Sequence, residues 1–199
     1  MSLHGKKAIL AVSGGIAAFK ALNVTRLLRR HGADLYVVMT EHATRFIAPT
    51  SFAMWSGHAV SVDLFAPLKT WDMEHIALAH RADLVLAVPA TANLLAKLAT
   101  GIADDLLSTL LVVIADRAPV FLAPAMNTHM YTNDVVQHHL SALRRRANIE
   151  IIEPEYGPLA STLEGAGVGR LAEPDAIVDH VMAHMRQEER PSLNTKQPR

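Results

Sequence analysis

The chain has no cysteine among its 199 residues. This excludes disulfide bonds, thiolate-ligated metal sites and a cysteine nucleophile, and it fits a protein of the reducing cytoplasm. Lys plus Arg number 19, as do Asp plus Glu, so the formal net charge of zero does not favour nucleic acid or an anionic membrane as a partner. No apolar run approaches the length of a membrane-spanning helix, and the apolar residues 8–12 are too few for a signal-peptide core.

Half of the residues are hydrophobic, which suits one compact α/β domain and leaves little room for a second. Short apolar runs predict strands at 8–12, 35–39, 84–88, 120–123 and 149–152. Helical patterns lie between and after them, at 16–30, 74–80, 92–99, 105–114, 133–146 and 174–185. Continuous apolar strands separated by helices predict a parallel sheet covered by helices on both faces, a three-layer α/β sandwich.

Three stretches depart from this alternation. Residues 49–71 are predicted to be a loop-rich excursion. Residues 153–170 contain four glycines and are predicted to be a mobile loop of the kind that often forms a lid. Residues 187–199 are polar with two prolines, so we expect a disordered tail after a single domain at 1–186.

The first predicted strand leads into residues 13–16, Ser-Gly-Gly-Ile, and then into a helix. Glycines let the backbone approach a ligand closely, and the N–H groups at a helix start favour a phosphate. The G-x-G-x-x-G spacing is absent, and the second strand ends in Met39-Thr40, with no acidic residue at its end to hold an adenosine ribose. A mononucleotide such as FMN is therefore favoured over NAD, with a tight turn that binds no ligand as the alternative.

Two further turns resemble the first in their chemistry. Thr40 ends the second strand, and Thr91-Ala92-Asn93 follow the strand at 84–88. Thr91 can equally serve as a helix N-cap. Because the carboxyl ends of parallel strands meet at one edge of a sheet, the convergence of three such turns favours a ligand site.

The apolar run 120–123 ends in the octapeptide 124–131, PAMNTHMY. Its proline ends the strand and leaves a single amide side chain, Asn127, at the edge where open α/β sheets bind ligands. Met126 and Met130 flank this amide, although both can equally be core filling.

Several other polar residues have both a functional and a structural interpretation. His75, one of eleven histidines, stands out because it opens the helix before the strand at 84–88. His180 and His184 have helical i,i+4 spacing without an acidic partner pattern, so we expect them to face solvent and not a metal. Asp104 and Asp105 precede an apolar helix, and we interpret them as N-caps.

The segment 164–170, EGAGVGR, contains three glycines spaced by two. Such spacing provides either a hinge or a close approach of the backbone to a neighbour. Arg170 at its end can meet an anion, and loop flexibility alone is the alternative.

Three of these segments together resemble the homo-oligomeric flavin-containing cysteine decarboxylases. PAMNTHMY is similar to the family's P-x-M-N-x-x-M-W motif and departs from it at Tyr131. The H-x-x-L of residues 75–78, followed by Ala82-Asp83 and the PATAN of 89–93, resembles the family's active-site histidine segment. The GAGVGR of 165–170 resembles its G-x-G-R segment, which follows the substrate clamp.

The resemblance covers about residues 7–185. It implies a Rossmann-like, flavodoxin-like domain that binds FMN between the subunits of a trimer, with dodecamers as a further assembly and no metal. It also implies that His75 is the catalytic base, that Asn127 binds the substrate carboxylate, and that Met126, Met130 and Arg170 lie on the substrate side. The FMN contacts that it implies come from Gly14, Gly15, Ile16, Thr40, Thr91, Ala92, Asn93 and Ala125.

The chemistry implied by the family suits these residue types. FMN oxidises the thiol of a terminal cysteine to a thioaldehyde, and His75 takes up a proton. The thioaldehyde then accepts the electron pair from the carboxylate, so that CO2 leaves and an enethiolate remains. We infer that Asn127 holds the carboxylate by hydrogen bonds without adding a positive charge that would oppose the loss of CO2.

The missing cysteine separates two branches of the family. Phosphopantothenoylcysteine decarboxylases of coenzyme A biosynthesis carry a Cys in an A-C-G segment before G-x-G-R, which helps to reduce the enethiol. Aligning GVGR places Leu163 at that Cys and Glu164 at the following Gly. The branch that modifies lantibiotic and linaridin peptides lacks the Cys and stops at the enethiol.

The sequence therefore favours oxidative decarboxylation of the C-terminal cysteine of a ribosomally made precursor peptide, giving an aminoenethiol for aminovinyl-cysteine formation. Two alternatives stay open. One is the phosphopantothenoylcysteine decarboxylase of coenzyme A biosynthesis, and the other is a non-catalytic FMN-binding regulatory protein.

Overall fold

Five parallel strands form the central sheet. The computed structural model describes residues 2–67, 73–114, 117–161, 163 and 165–188. The strands are β1 (Lys7–Val12), β2 (Asp34–Met39), β3 (Leu84–Ala90), β4 (Val120–Pro124) and β5 (Ile149–Ile151). Their order across the sheet is β2-β1-β3-β4-β5, and all four pairings are parallel. Each predicted strand is confirmed, and β3 is buried along its whole length as a strand covered on both faces must be.

Helices connect the strands. A short 3₁₀ helix, Ile16–Lys20, leads from β1 into α1 (Ala21–Arg30). The helices that follow are α2 (Glu41–Thr44), α3 (Pro49–Ser56), α4 (Glu74–Arg81), α5 (Ala92–Thr100), α6 (Leu106–Ile114), α7 (Thr128–Tyr131), α8 (Asp134–Arg144) and α9 (Pro174–Glu188). A separate antiparallel pair, β6 (Glu155–Pro158) and β7 (Ala166–Arg170), precedes α9.

The apolar core lies on both faces of the sheet. Successive strand residues point to opposite faces, so Leu10 and Leu86 pack with α1, α3 and α9. Ile9 and Val85 pack on the other face with α4, α5, α6 and α8. This arrangement confirms the predicted three-layer α/β sandwich.

The strand order creates a switch point between β1 and β3. From β1 the chain crosses to β2 on one side, and β3 then lies on the other side of β1. The connections after β1 and β3 therefore diverge and leave a crevice at the carboxyl ends of these strands, as in flavodoxin-like folds. The Rossmann-like expectation is confirmed.

The prediction of a loop-rich excursion at 49–71 is wrong for Pro49–Ser56, which forms α3. Pro49 stands in the first turn of this helix, and Gly57 follows its end with φ of 81°. Both are ordinary helix start and stop signals. After Gly57 the described residues up to 67 are irregular except for a bridge between Ser61 and Val38, and residues 68–71 of the predicted excursion lie outside the described residues.

The predicted mobile loop at 153–170 contains the β6–β7 hairpin. Tyr156 pairs with Val168, and Gly157 with Gly167. Its two strands are short and contain glycines. They lack the run of alternating apolar residues that predicts a strand, so the sequence did not reveal them. Thr162 and Glu164 lie outside the described residues, and the mobility of the segment stays a prediction.

The expectation that His180 and His184 face solvent needs correction. Both histidines lie on α9 about one-third exposed, and each has a ring nitrogen 2.7 Å from a carboxylate oxygen of Glu150 on β5. Both rings also meet Phe121 edge-on. The acidic partner is 30 residues from His180 in the chain, so the i,i+4 spacing carried no sign of it. In the described residues, no group of three or more His, Cys, Asp or Glu side chains is arranged to hold a metal ion.

Helix α9 runs to Glu188, two residues past the domain boundary predicted at 186. The rest of the predicted tail, 189–199, lies outside the described residues. Among the helices of the described ranges, none has the length and apolar character needed to cross a membrane.

Candidate functional site

A cavity of about 760 Å³, here called cavity 1, lies at the carboxyl ends of β1, β2, β3 and β4. Its volume is within the usual range for cofactor sites. All the residues predicted to contact FMN line it, namely Gly14, Gly15, Ile16, Thr40, Thr91, Ala92, Asn93 and Ala125. The residues predicted on the substrate side, Met126, Asn127, Met130 and Arg170, line it as well. The fold thus brings these twelve residues together, while their roles stay predictions.

Ser13 joins two of the turns that form the wall of cavity 1. Its side chain is buried, and its hydroxyl donates to the carbonyl oxygen of Pro89 at 2.7 Å. The same hydroxyl oxygen accepts the backbone N–H of Thr91 at 3.0 Å. The sequence placed Ser13 in the first turn, but its partners are more than 75 residues away in the chain, and no local pattern pointed to them.

Two helices begin at the wall of cavity 1, after Thr40 and Thr91. The Thr40 hydroxyl accepts the N–H of Ala43 in α2, and the Thr91 hydroxyl accepts the N–H of Leu94 in α5. The N-cap interpretation of Thr91 is confirmed, and the same residue lines the cavity. Because the first N–H groups of a helix have no partner within it and carry the positive end of its dipole, these turns suit a phosphate.

Packing within the protein requires glycine at position 14 and leaves little room for a side chain at position 15. A Cβ on Gly14 would stand 2.4 Å from Cβ of His42, and one on Gly15 would stand 3.2 Å from Cγ2 of Thr91. Glycine therefore lets this turn lie directly against α2 and the turn after β3. The sequence left open whether these glycines serve ligand approach or only a tight turn, and it did not reveal either neighbour.

Apolar side chains line cavity 1 next to the polar turns. Ile16, Phe19 and Met130 are each about half exposed, although large apolar groups prefer burial. Helix starts that suit a phosphate beside apolar walls that suit an aromatic ring system fit a flavin mononucleotide. Phe19 was missed in the sequence because it has no polar group to mark it.

Asn127 caps α7 at the edge of cavity 1. Its Oδ1 accepts the backbone N–H groups of His129 at 2.7 Å and Met130 at 3.2 Å. These two donors fix the orientation of the amide, so that its Nδ2 is the atom that donates on the other side of the group. An amide held in this way can donate to a carboxylate oxygen without carrying charge.

The β6–β7 hairpin closes one side of cavity 1. Pro158, Leu159, Ala160 and Ser161 contribute to the wall. The Thr128 hydroxyl donates to the Val168 carbonyl oxygen at 2.7 Å, which ties the hairpin to the start of α7. A Cβ on Gly167 would overlap that hydroxyl. The backbone of β7 thus lies close to Thr128. Close backbone approach was one of the two predicted uses of the GAGVGR glycines.

Arg170 lines cavity 1 but is already paired within the protein. Its guanidinium lies 2.9 Å from Oε2 of Glu155 and also contacts Glu173. Glu173 in turn lies 3.4 Å from Nζ of Lys20. Burial and then the nearby Arg170 lower the pKa of Lys20, against the opposing effect of Glu155. Two cations and two carboxylates thus balance at this side of the cavity.

Lys97 is the partner of the two consecutive aspartates. Its ammonium lies 2.5 Å from Asp104 and 2.7 Å from Asp105. Asp105 also accepts the Ser108 N–H at 2.7 Å, in agreement with the predicted capping role. Burial opposes the charge on Lys97, but the hydrogen bonds to both aspartates outweigh it and raise its pKa. The sequence did not reveal this ion pair.

His75 lines a second cavity of about 600 Å³, here called cavity 2, and not cavity 1. Its neighbour Glu74 accepts a hydrogen bond from the Ser61 hydroxyl at 2.5 Å. Tyr36 and His58 line the same cavity, with their rings stacked 4.3 Å apart. Within one chain, therefore, the structure does not bring the predicted base and Asn127 into one cavity.

Comparison with known proteins agrees with a flavin site in cavity 1. A profile of the family described as Flavoprotein matches residues 1–186. The chain belongs to the Flavoprotein family. FMN is the flavin that this family and its solved relatives support, since one of those relatives is described as an FMN-dependent cysteine decarboxylase, SpaF.

Individual relatives of this flavoprotein cover most of its chain. It is 43% identical over 194 residues to the coenzyme A biosynthesis bifunctional protein CoaBC of Bacillus subtilis (strain 168), which covers 98% of this chain and 47% of the relative. The chain thus spans about half the length of the curated relatives it matches. A PPC decarboxylase mutant complexed with pantothenoylaminoethenethiol has a TM-score of 0.81 at 29% identity, with 91% of this chain and 98% of that chain covered. SpaF has a TM-score of 0.71 at 31% identity, with 90% and 99% covered.

Proposed function

We propose that this flavoprotein catalyses the oxidative decarboxylation of the C-terminal cysteine of a ribosomally made precursor peptide and releases an aminoenethiol for aminovinyl-cysteine formation. The observation that carries the proposal is the absence of cysteine from the whole chain, together with Leu163 at the tip of the hairpin beside cavity 1. Leu163 is 96% exposed and offers no thiol. Without a thiol to assist reduction, the reaction ends at the enethiol.

Asn127 has the role of carboxylate anchor in this proposal. Its oxygen caps α7, so its Nδ2 would be the atom that donates to the substrate carboxylate. A neutral donor holds the carboxylate in place, yet it does not stabilise the ground-state charge as strongly as Arg or Lys would. Loss of CO2 is then less opposed by the group that binds it.

FMN bound in cavity 1 would supply the oxidant for the carbon that carries the thiol. The helix starts at Ile16, Thr40 and Thr91 would hold its phosphate, and Phe19 and Met130 would pack against its apolar surface. The hairpin forms one wall of the site, which would limit the access of water to the thioaldehyde before CO2 leaves.

His75 takes up the thiol proton only if a second copy of the chain brings it to cavity 1. Cavity 2, which His75 lines, is bordered by Phe65 and Met73, which are 86% and 61% exposed. Large apolar side chains at such exposure favour burial against another surface. We therefore include in the proposal a trimer, or a dodecamer built of four trimers, in which each site takes Asn127 from one chain and His75 from its neighbour.

The charge around cavity 1 supports a peptide as substrate. Residues 156–163 of the hairpin carry no charged side chain. Arg170 and Lys20 are matched by Glu155 and Glu173. A phosphorylated substrate prefers cations that are not already paired, whereas an uncharged peptide segment fits this surface.

A second candidate is the decarboxylation of phosphopantothenoylcysteine. The observation in its favour is the 43% identity to the bifunctional CoaBC of Bacillus subtilis, which exceeds the 31% identity to SpaF. In that case the product keeps a saturated thiol, and the reaction is redox-neutral.

Product mass distinguishes the two candidates. The protein is incubated with FMN and oxygen, in one reaction with a synthetic peptide that ends in cysteine and in another with phosphopantothenoylcysteine. Loss of CO2 plus two hydrogens from the peptide, with enethiol absorbance, is the expected result. Loss of CO2 alone from phosphopantothenoylcysteine would instead support the second candidate, and turnover of neither compound by the FMN-loaded protein would favour a binding role.

A further inference from the structure

Tyr131 stands where the resembling motif has Trp, and its hydroxyl has a specific partner. The phenol donates to Oε2 of Glu153 at 2.8 Å. The other carboxylate oxygen, Oε1, accepts a hydrogen bond from Nη2 of Arg144 at 2.5 Å. An indole has a single N–H donor in a different position, so the link between Tyr131 and Glu153 is not a property of the shared motif.

This link joins two elements that border cavity 1. Tyr131 is the last residue of α7, whose first turn is capped by Asn127, and the Tyr131 N–H donates to the Asn127 carbonyl oxygen at 2.9 Å. Glu153 lies two residues before the first strand of the hairpin. Its hydrogen bond with Tyr131 therefore ties the foot of the hairpin to the helix that carries Asn127.

The opposite strand of the hairpin is also tied to this turn. The Met126 N–H donates to the Gly169 carbonyl oxygen at 3.0 Å, and the Thr128 hydroxyl donates to the Val168 carbonyl oxygen. The turn at Asn127 is thus held by β7 directly and by the segment before β6 through Tyr131. Of these three hydrogen bonds, the one between Tyr131 and Glu153 joins two side chains.

We propose that Tyr131 is a positioning residue whose hydroxyl, through Glu153, sets the hairpin at the distance from Asn127 that the substrate requires. This inference rests on the proposed function, because it assumes that Asn127 and the hairpin hold the same substrate. Tyr131 acts through Glu153 and needs no contact with substrate or FMN.

The chemistry of the three side chains suits this role. Burial, followed by the hydrogen bond and the charge of Glu153, raises the pKa of Tyr131, so the phenol keeps the proton that it donates. Arg144 and Glu153 are 39% and 56% exposed, so their ion pair contributes little stability. It does restrict the carboxylate of Glu153 to one orientation.

Tyr131→Phe removes the hydroxyl and keeps the ring. We expect KM for a peptide ending in cysteine to rise about fivefold, as for the loss of one hydrogen bond to a partly exposed carboxylate, with kcat changed less than about twofold and FMN content unchanged. Glu153→Gln keeps an oxygen that accepts from the phenol, so it should retain most of the wild-type KM, whereas Glu153→Ala should match Tyr131→Phe.

A double-mutant cycle on KM decides whether the two residues act as a unit. Tyr131→Phe combined with Glu153→Ala should raise KM no further than either single change. Additive increases, or a fall in kcat with KM unchanged, would overturn the positioning role.

Amide hydrogen exchange tests the same link without turnover. The Met126 amide donates to Gly169 of β7, and the Leu159 amide donates to Gly165 across the hairpin. Exchange at both amides should quicken in Tyr131→Phe and stay at the wild-type rate in Glu153→Gln. Unchanged exchange in Tyr131→Phe would refute the link. If the wild-type protein fails to turn over the peptide, the proposed function fails, and the exchange rates still decide whether Tyr131 holds the hairpin.

Discussion

Gly169 of the hairpin lies directly against the backbone of Met126, with the Met126 N–H donating to the Gly169 carbonyl oxygen at 3.0 Å. A Cβ at position 169 would stand 2.3 Å from the Met126 carbonyl oxygen. The φ of Gly169 is +122°, which residues with a side chain rarely adopt. Two independent constraints therefore require glycine next to Asn127.

We expect Gly169→Ala to lower the free energy of unfolding by about 3 kcal/mol, since backbone strain and overpacking each cost about 1–3 kcal/mol. Gly165→Ala is the matched control. Its φ is +64°, but a Cβ there meets nothing within 4 Å, so strain alone should cost about 1–2 kcal/mol. Urea unfolding of both variants measures the difference, and equal costs would show that the contact with Met126 relaxes freely.

The fold was predictable because its signals are local. Each strand of the sheet is a continuous apolar run, and parallel pairing buries both of its faces. The hairpin lacked such a signal, since β6 is the sequence EYGP and its pairing with β7 supplies the structure. Helix α3 did carry local signals in Pro49 and Gly57, and these were outweighed by the irregular stretch around it.

Asp34 and His58 form a hydrogen bond of 2.7 Å beside cavity 2. This bond holds the pKa of Asp34 below its ordinary value of 3.8; burial opposes the shift, and Tyr36 adds to it. A carboxyl whose pKa is lower in the folded state contributes stability above its unfolded pKa. That contribution is lost as the pH falls below 3.8 and through the folded value.

Asp34→Asn should therefore be less stable than the wild type near neutral pH, and the gap should stay constant down to about pH 4 and close as the pH falls further, through the folded pKa of Asp34. The size of the gap is modest because both side chains are 37% exposed. Urea midpoints across this range measure it, with Asp179→Asn at an exposed position of α9 as the control. A gap that stays constant with pH would contradict the role of the Asp34 charge.

The candidate site was predictable where it depends on strand ends. Thr40, Thr91 and Asn127 follow three different strands, and the parallel sheet brings them to one edge. Tertiary contacts could not be predicted from local patterns, because they join residues far apart in the chain. The hydrogen bond from Tyr131 to Glu153, for example, spans 22 residues. The separation of His75 from cavity 1 depends on how α4 packs, which no motif specifies.

Leu163→Cys places a thiol at the position where the resembling coenzyme A branch has cysteine. If position 163 determines the fate of the product, the electrons removed in the oxidation should return to part of the enethiol and reduce it to the saturated thiol. Mass spectrometry should then find product that has lost CO2 alone, next to product that has also lost two hydrogens. Leu163→Ser has a similar size to Cys and no thiol, so it should give the oxidised product; the same product from Leu163→Cys would show that position 163 does not decide.

Shared sites between chains give the most direct test of the proposed assembly. His75→Asn and Asn127→Asp should each abolish turnover while leaving FMN bound, the first by removing the base and the second by repelling the substrate carboxylate. His80→Asn is the matched control, because His80 lies on the same helix, is exposed and contacts Arg117 at 2.9 Å. It should keep wild-type activity.

Mixed assemblies of the two inactive variants should regain activity if each site combines Asn127 of one chain with His75 of another. Equal amounts, refolded together, should recover about a quarter of wild-type turnover, because in a cyclic trimer each site draws its two residues at random from the two variants. Refolding either variant alone should recover none. Absence of activity in the mixture, with trimers confirmed by light scattering, would mean that one chain supplies both residues, and helix α4 would then have to move His75 from cavity 2 to cavity 1 during the reaction.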